Sequence, residues 1–246
     1  MSDPLPPFER AALLLDLDGT LLDLVDVPDA VVVPEGLINT LRTIRKQIGD
    51  ALAIVTGRPV ETIDRLLGDA PYAVAGEHGG AFRCAPGAAI ERPDHKAPPM
   101  EWIERATRLA AAHPSTILEQ KPRGFGVHFR QDPDAGQVIH DVLSGLVEGS
   151  PDFELMQGLM LWEIRPKGIN KGLAVTHLMS RPPFQGRLPV FIGDDVTDQD
   201  GIRAARSMGG AGLFVPDIFG SPVRVRDWLH GIALRGAWEN FALRGA

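Results

Sequence analysis

The sequence has few of the features that mark secreted or membrane proteins. It contains a single cysteine, Cys84, so an intrachain disulfide is excluded and a reducing compartment such as the cytoplasm is favoured. Residues 1–10 lack a basic segment followed by a long apolar core, and no apolar run approaches the length of a membrane span. We therefore expect no signal peptide, no transmembrane helix and no membrane partner.

Basic residues are in the minority, because 25 Lys and Arg stand against 32 Asp and Glu and give a formal net charge of −7. A general nucleic-acid partner needs a basic surface and is not expected. An anionic substrate is compatible with this charge if local cations or backbone amides bind it. The length of 246 residues, of which 44% are hydrophobic, allows a sizeable core in one large or two small domains.

Patterns of buried strands and amphipathic helices alternate at both ends of the chain. Such alternation predicts an α/β fold, a doubly wound, Rossmann-like parallel sheet covered by helices on both faces. The strands are predicted over residues 13–15, 51–55, 72–75, 188–192 and 212–215, and the helices after Pro34, Pro59 and Asn170 and over residues 227–243.

The middle of the chain has a different pattern, helix–hairpin–helix–hairpin, which predicts an inserted α+β cap with an antiparallel sheet. We expect the cap over residues 97–167 and the core over residues 1–96 and 168–246. The helices are predicted over residues 102–112 and 135–147, and the strands over residues 116–121, 125–130, 153–157 and 159–165.

The cap strands alternate between apolar and polar residues with a period of two. The apolar side chains of one face are expected to pack on the two helices. The opposite face is either an ordinary solvated surface or the working face of a lid that meets the loop after the first strand. Its candidate residues are Glu119, Lys121, His128, Arg130 and Glu163.

The first core strand ends in a short acidic loop, Asp16-Leu17-Asp18-Gly19-Thr20. Two carboxylates at the mouth of a buried strand are costly to bury unless they meet a cation or hydrogen-bond donors. In an open α/β sheet, ligands gather at the carboxyl ends of the strands. The loop is therefore a candidate site, and the plain alternative is a strand followed by an Asp-Gly turn.

Three other segments are expected at the same edge of the sheet. Thr56-Gly57-Arg58 follows the second strand, and a cluster over residues 193–198 follows the fourth. Within that cluster we expect Asp194 to point at Asp16, whereas Asp195 can be solvated and Asp198 can cap a helix. Lys171 stands at the start of a helix, where the helix dipole opposes a cation, which indicates a local anion.

Together these four segments resemble the motifs of the haloacid dehalogenase superfamily of phosphotransferases. The resemblance implies that Asp16 attacks phosphorus to form an aspartyl phosphate and that Asp18 protonates the leaving oxygen and then activates water. It also implies that Thr56 and Lys171 bind phosphoryl oxygens. The implied cofactor is Mg²⁺, held by Asp16, the Asp18 carbonyl and Asp194, with Asp195 and Asp198 outside the direct ligands.

The rest of the chain resembles one branch of that superfamily, the trehalose-6-phosphate phosphatases. The resemblance is carried by GEHGG at 76–80, Glu119-x-Lys121, residues 128–130, residues 163–166, residues 170–172 and GDDVTDQD at 193–200. Glu77, Phe129 and Gln199 depart from the usual pattern, and none of them removes a catalytic group.

This second resemblance implies an enzyme that hydrolyses a sugar phosphate, trehalose 6-phosphate, as the last step of trehalose synthesis, with a functional link to a trehalose-6-phosphate synthase. It implies that the cap acids and Lys121 bind sugar hydroxyls. Arg58 either touches the substrate or forms a salt bridge near the helix start, and His78 is a hydrogen-bonding loop residue rather than a metal ligand. The substrate-binding candidates are Gly57, Arg58, His78, Glu119, Lys121, His128, Arg130 and Glu163.

Two alternatives stay open. One is a related phosphatase for sucrose phosphate or mannosylglycerate phosphate; a phosphomannomutase is disfavoured because no basic cluster for a bisphosphate is evident. The other is a non-catalytic module that binds sugar phosphates. The presence of both Asp16 and Asp18 disfavours the module, because a protein without turnover has no need of them.

Overall fold

The computed structural model of the chain describes residues 4–25, 30–93, 96–121 and 123–238. The chain divides into two compact units, one formed by Met1–Glu91 with Asn170–Ala246 and the other by Arg92–Ile169. The first is a mainly parallel sheet with flanking helices, and the second is an antiparallel sheet with two helices. The predicted fold class, a doubly wound α/β core with an α+β insert, is confirmed. The cap limits expected from the sequence, 97–167, lie inside the second unit.

The core unit contains six strands and six helices in its described part. The strands are β1 (Ala11–Leu15), β2 (Leu52–Val55), β3 (Ala73–Gly76), β4 (Ala81–Arg83), β9 (Leu188–Gly193) and β10 (Ala211–Phe214), and the helices are α1 (Leu37–Gln47), α2 (Val60–Leu67), α5 (Lys171–Met179), α6 (Asp198–Ser207), α7 (Val215–Ile218) and α8 (Pro222–Arg235). The insert contains α3 (Met100–Ala112), β5 (Ile117–Lys121), β6 (Gly124–His128), α4 (Ala135–Val147), β7 (Phe153–Gly158) and β8 (Leu161–Pro166).

The core sheet has the strand order β10-β9-β1-β2-β3-β4, so β1 lies near its centre. β1 runs parallel to β2 on one side, with Leu15 opposite Ile54, and parallel to β9 on the other, with Leu15 opposite Ile192. The carboxyl ends of these three adjacent strands therefore meet at one edge of the sheet. The loops that begin at Asp16, Thr56 and Asp194 follow directly at that edge.

Successive side chains of β1 point to opposite faces of the sheet, and each face has its own apolar core. Leu13 and Leu15 pack in one core with α1 and α8, whereas Leu14 packs in the other with α5 and α6. All three leucines are fully buried, and each contributes roughly 1.5–3 kcal/mol relative to an exposed position. Helices on both faces confirm the doubly wound arrangement.

The core differs from the sequence prediction in three places. β4, which pairs antiparallel with β3, was not predicted, because a three-residue strand shows no readable period. The sequence predicts Leu173, Val175 and Leu178 as the apolar residues of the helix after Asn170; in α5 Val175 and Leu178 are buried, whereas Leu173 is 52% exposed. The C-terminal helix begins at Pro222 rather than Asp227; of the predicted span, residues 239–243 lie outside the described residues.

The insert has the strand order β5-β6-β8-β7, with every neighbouring pair antiparallel. Phe125, Val127 and Ile164 form its core together with residues of α3 and α4, which confirms the predicted apolar face. The second hairpin was predicted to turn at Gly158, but β7 continues through that residue and the turn is formed by Leu159 and Met160. Of the residues that the structure describes, no helix has the length and apolar character needed to cross a bilayer.

Candidate active site

A lysine and two carboxylates form the buried centre of the site in the core unit. Lys171, the first residue of α5, donates one hydrogen bond of 2.6 Å to Oδ1 of Asp16 and another of 2.6 Å to Oδ1 of Asp198. All three side chains are at most 5% exposed. Asn170 caps α5 by accepting the Leu173 N–H at 2.9 Å, which fixes the helix start that carries the lysine. The two carboxylates explain why a lysine stands at the helix start, where the helix dipole disfavours a positive charge.

Asp198 has a larger part in this centre than the sequence indicated. We expected a helix cap or a residue outside the direct ligands, but its side chain is fully buried and contacts Lys171 directly. Its second oxygen accepts the backbone N–H groups of Asp194 and Asp195 at 3.1 and 3.0 Å. Asp198 therefore both pairs with the lysine and holds the turn that carries Asp194, whereas Asp195 bonds to the neighbouring Val196 N–H.

The loop after β1 positions the carboxylate of Asp194. Thr20 donates its hydroxyl hydrogen to Oδ1 of Asp194 at 3.1 Å. Gly19 has a left-handed φ of 77°, and a Cβ placed on it would lie 2.0 Å from Oδ2 of Asp194. A glycine is therefore required both by the backbone conformation and by the close approach of the carboxylate. The predicted approach of Asp194 to Asp16 is confirmed, since these two and Asp198 each offer an oxygen within 4.8 Å of the others.

The cluster holds more negative than positive charge. Burial, and next the charge of Asp198, raise the pKa of Asp16 well above its usual range. The same two causes raise the pKa of Asp194 to about 6, against a smaller opposing effect of the Thr20 hydrogen bond. Burial opposes the charge of Lys171, but the Asp16 and Asp198 carboxylates outweigh it and raise the pKa of the ammonium. The cluster thus contains three carboxylates and one lysine.

Mg²⁺ fits this donor set. The three converging groups are hard carboxylate oxygens, which this ion prefers, and a divalent cation would offset the charge that one lysine leaves unbalanced. The lysine occupies one oxygen each of Asp16 and Asp198. Asp194 makes no contact with that lysine, so Asp16 and Asp194 are the pair best placed to hold the ion.

The side chain of Asp18 has a different partner from the acid cluster. Arg58 donates from Nε to its Oδ2 at 2.6 Å and from Nη2 to its Oδ1 at 2.7 Å, a two-pronged ion pair. Arg58 therefore forms an ion pair, which was one of its two alternatives, and the partner is Asp18. The carboxylate of Asp18 does not join Asp16, Asp194 and Asp198, and a metal-binding role for Asp18 would rest on its backbone carbonyl.

The loop after β2 is held by the turn that follows β3. Thr56 is buried; its hydroxyl accepts the Arg58 N–H at 3.2 Å, and its carbonyl accepts the His78 N–H at 2.9 Å. The carbonyl of Arg58 accepts the Glu77 N–H at 3.0 Å. Thr56, Gly57 and Arg58 are thus positioned by backbone bonds from a neighbouring turn.

That turn contains two successive non-glycine residues in the left-handed region, Glu77 with a φ of 54° and His78 with a φ of 58°. Such residues are uncommon and strained, and they concentrate at functional sites. The His78 ring lies against Gly57, where an added Cβ would come within 2.6 Å of Nε2. The structure therefore brings His78 and Gly57 together.

The candidates of the insert form one ion pair and one hydrogen-bonded pair on the polar face of its sheet. Lys121 donates to Oε2 of Glu163 at 2.7 Å, and His128 Nε2 lies 2.9 Å from Oε2 of Glu119. Glu119 on β5 and Glu163 on β8 are each paired with Gly126 on β6, the strand between them. The central residue of this cross-strand row is therefore a glycine. Arg130 differs from its prediction, because β6 ends at His128 and Arg130 lies in the turn beyond it.

Two of the residues that build the core site were not among the catalytic, substrate-binding or metal-binding residues predicted from the sequence. Thr20 stands four residues after Asp16 in the same loop, a spacing that could have indicated its hydroxyl. Asp198 stands four residues after Asp194, but the same spacing is typical of a helix cap, so only the contact with Lys171 reveals its role.

Comparison with known proteins gives a family for this arrangement. The trehalose-phosphatase family model matches residues 14–216. A probable trehalose-phosphate phosphatase of Sinorhizobium fredii is 38% identical over 241 residues, covering 94% of this chain and 88% of that protein. A trehalose-6-phosphate phosphatase of Escherichia coli is 34% identical over 203 residues, covering 82% and 76% of the two chains.

Solved structures share the fold at lower identity. The C-terminal domain of a Candida albicans trehalose-6-phosphate phosphatase aligns with a TM-score of 0.75 and 21% identity over 92% of this chain and 93% of that one. A haloacid dehalogenase-like hydrolase from Bacteroides thetaiotaomicron aligns with a TM-score of 0.56 and 17% identity, covering 79% and 85%. Because the family model spans most of the sequence and the two bacterial relatives align over 94% and 82% of it, this chain belongs to the trehalose-phosphatase family, a family of phosphatase enzymes.

Proposed function

We propose that this chain hydrolyses trehalose 6-phosphate to trehalose and phosphate through an aspartyl phosphate on Asp16. The observation that carries the proposal is the buried contact of Asp16 with Lys171, beside Asp194, at the carboxyl end of the central strand. The names of the bacterial relatives support the substrate. A trehalose-6-phosphate synthase would supply that substrate, so the reaction would be the last step of trehalose synthesis, and a reducing cytoplasm suits a chain with one cysteine.

In the first step, an oxygen of Asp16 bonds to phosphorus while the bond from phosphorus to the sugar oxygen breaks. Two like charges 4 Å apart repel by about 4 kcal/mol at an effective dielectric near 20, so a carboxylate alone is a poor nucleophile for a phosphate dianion. Lys171 offsets part of this repulsion and holds Asp16 in place, while Thr56 offers its hydroxyl to a phosphoryl oxygen. Mg²⁺, when bound by Asp16, Asp194 and the Asp18 carbonyl, neutralises charge on the phosphate as a Lewis acid.

Asp18 provides the proton for the departing sugar oxygen and later takes a proton from the water that hydrolyses the aspartyl phosphate. Both of its oxygens accept from Arg58 in the structure. The proton-transfer role therefore requires Arg58 to release one oxygen when substrate binds. Arg58 would then hold Asp18 through the remaining bond and orient the free oxygen.

The sugar hydroxyls are proposed to bind the polar face of the insert. A sugar offers both donors and acceptors, so carboxylates and cations can bind it together. Lys121 and Glu163 are nearly buried, at 8% and 3% exposure of their side chains, and Glu163 lies opposite Gly126 on β6. Hydroxyl groups would exchange with the existing pairs of Lys121 with Glu163 and of His128 with Glu119, and Arg130 would contribute from the adjoining turn.

The decisive experiment measures phosphate release from trehalose 6-phosphate, sucrose 6-phosphate, mannosylglycerate phosphate and glucose 6-phosphate, each with Mg²⁺ and with a chelator. We expect the highest kcat/KM for trehalose 6-phosphate, activity only with Mg²⁺, and no activity in Asp16→Asn. Preference for another sugar phosphate would replace the substrate but keep the reaction. Binding without phosphate release would favour the non-catalytic module instead.

A further inference from the structure

A second group of metal-binding side chains lies in the core unit, apart from the acid cluster. The sulfur of Cys84, a carboxylate oxygen of Glu91 and a ring nitrogen of His177 all lie within 4.8 Å of one another. The reaction proposed above does not use this group. Cys84 is the single cysteine of the chain, and the group therefore offers one sulfur, one oxygen and one nitrogen donor.

The fold builds this group around Phe82. Cys84 directly follows β4, and Glu91 is held beside that strand by two backbone bonds to Phe82, of 2.8 and 2.7 Å. The ring of His177, on α5, stacks on the Phe82 ring with 4.0 Å between centroids. Three chain segments thus bring their donors together through contacts with a single side chain and its backbone. The convergence is a product of tertiary structure and does not come from neighbours in sequence.

The guanidinium of Arg181 already contacts two members of the group. Arg181 donates from Nη1 to the sulfur of Cys84 at 3.1 Å and to the two oxygens of Glu91 at 3.0 and 2.9 Å. Its side chain is 39% exposed, so it can leave the group for solvent without an unpaired buried charge. Nε2 of His177 is buried and makes no hydrogen bond among the residues that the structure describes. Burial, and next the charge of Arg181, lower the pKa of His177, which favours the neutral imidazole that metals bind.

We propose that Cys84, Glu91 and His177 form a second metal site, for Zn²⁺ rather than Mg²⁺, with Arg181 as the cation that the metal displaces. Sulfur, nitrogen and oxygen donors together are typical of zinc, which binds three protein ligands with a fourth position for water. Mg²⁺ needs hard oxygen donors and finds only one here. When the sulfur–zinc bond forms, the thiol proton of Cys84 passes to the buffer and Arg181 moves into solvent.

The site is adjacent to the catalytic helix but separate from the catalytic groups. His177 follows Lys171 by six residues on α5, which corresponds to roughly 9 Å of helix rise. Metal binding would fix the outer part of this helix to β4 without contacting the acid cluster. We therefore expect zinc to raise the thermal midpoint of unfolding even in a variant whose acid cluster no longer binds metal.

Cobalt provides the sharpest test, because a cobalt–thiolate bond gives a near-ultraviolet charge-transfer band and tetrahedral cobalt gives visible bands. Metal-free full-length protein is titrated with Co²⁺ and then with Zn²⁺. We expect both sets of bands to saturate at one equivalent and to disappear when Zn²⁺ is added. The acid cluster has no sulfur, so Asp194→Asn should leave these bands unchanged. Wild-type protein that gives no thiolate band would overturn the proposal.

Variants of the ligands distinguish a built site from a lone reactive thiol. Cys84→Ser should abolish the charge-transfer band, and Glu91→Gln and His177→Gln should each weaken cobalt binding by at least tenfold. Arg181→Ala should instead tighten binding, because the competing cation is removed. A band of full strength and affinity in both Glu91→Gln and His177→Gln would show that Cys84 binds alone, and it would end the proposal even if Cys84→Ser failed to fold.

Discussion

The ammonium of Lys171 donates a hydrogen bond of 2.6 Å to Oδ1 of Asp16, although 155 positions separate the two residues in sequence. Both side chains are nearly inaccessible to solvent, and the pair joins the start of α5 to the end of β1. The lysine thereby fixes one oxygen of the proposed nucleophile and leaves the other for phosphorus or metal. The proposed catalysis and the stability of the core unit would both depend on this contact.

Replacement of the lysine tests the structural side of this contact. Lys171→Met removes the only cation of the cluster and leaves Asp16 and Asp198 without their partner, so we expect the free energy of unfolding to fall by about 3 kcal/mol. Phosphatase activity should be lost as well. Urea denaturation at pH 7 measures the stability. The matched control is Lys46→Met on the exposed face of α1, which should change stability by no more than about 0.5 kcal/mol. Equal effects of the two substitutions would contradict the contact.

The role of Asp18 can be separated from that of Asp16 by the leaving group. Asp18→Asn keeps the size of the side chain but removes the proton donor, so kcat for trehalose 6-phosphate should fall by about 10²–10⁴. The same variant should lose much less of the first step, measured as single-turnover release of the alcohol, with p-nitrophenyl phosphate, whose leaving group needs no proton. Asp16→Asn should abolish turnover of both esters. Equal losses of the first step with both esters in Asp18→Asn would argue against proton transfer to the sugar oxygen.

Stability in the absence of metal should depend on pH through Asp194. Its pKa is raised to about 6 in the folded protein, so between the unfolded pKa near 4 and about 6 the folded state binds more protons than the unfolded state. Stability therefore falls as the pH rises through this window, by an amount on the order of 1 to 2 kcal/mol after solvent screening.

The measurement is the thermal midpoint between pH 4 and pH 7 in the presence of a chelator. Asp194→Asn mimics the neutral form and should make the profile shallower in this range, leaving the slope that Asp16 contributes through its own raised pKa, whereas Asp195→Asn should keep the wild-type profile. Added Mg²⁺ should restore stability most at the high-pH end, where the carboxylates are ionised. A profile of Asp194→Asn that matches wild type would place the titration on another group.

The insert should control recognition of the sugar and leave the chemistry unchanged. Glu163→Gln removes the charge that pairs with Lys121 and weakens bonds to sugar hydroxyls, so KM for trehalose 6-phosphate should rise by about tenfold or more. Kinetics with p-nitrophenyl phosphate should change little. Glu154→Gln is the matched control, because Glu154 forms a similar ion pair with Arg165 at 2.9 Å one row away in the same sheet. A parallel loss with both esters would count against sugar recognition.

The parts of the site that sequence could predict are those that follow directly from strand ends. Asp16, Thr56 and Asp194 each come after a buried apolar run, and parallel strands bring such ends to one edge. Asp198 could not be assigned, because its local sequence is equally typical of a helix cap and its partner is 27 residues away. Arg130 was misplaced for the opposite reason: the alternation of polar residues continues after the hydrogen-bonded strand has ended at His128.

Gly19 is constrained both by its left-handed backbone and by the close approach of Asp194. Gly36 has only the first of these constraints, so comparing the two glycines separates them. Gly19 and Gly36 have nearly the same left-handed φ, 77° and 81°, so alanine should cost about 1–2 kcal/mol of backbone strain at either position. A Cβ at Gly19 would lie 2.0 Å from Oδ2 of Asp194, whereas a Cβ at Gly36 would meet nothing within 4 Å. Thermal unfolding and phosphate release are measured for both variants.

We expect the two alanine variants to lose similar stability from the backbone but to differ in activity. Gly19→Ala should displace Asp194 from Thr20 and Asp16, so the affinity for Mg²⁺ and kcat should both fall by at least tenfold. Gly36→Ala should keep wild-type kinetics. Full activity of Gly19→Ala would show that the loop after β1 can accommodate a side chain. The close contact of this loop with Asp194 would then not be required to position the acid cluster.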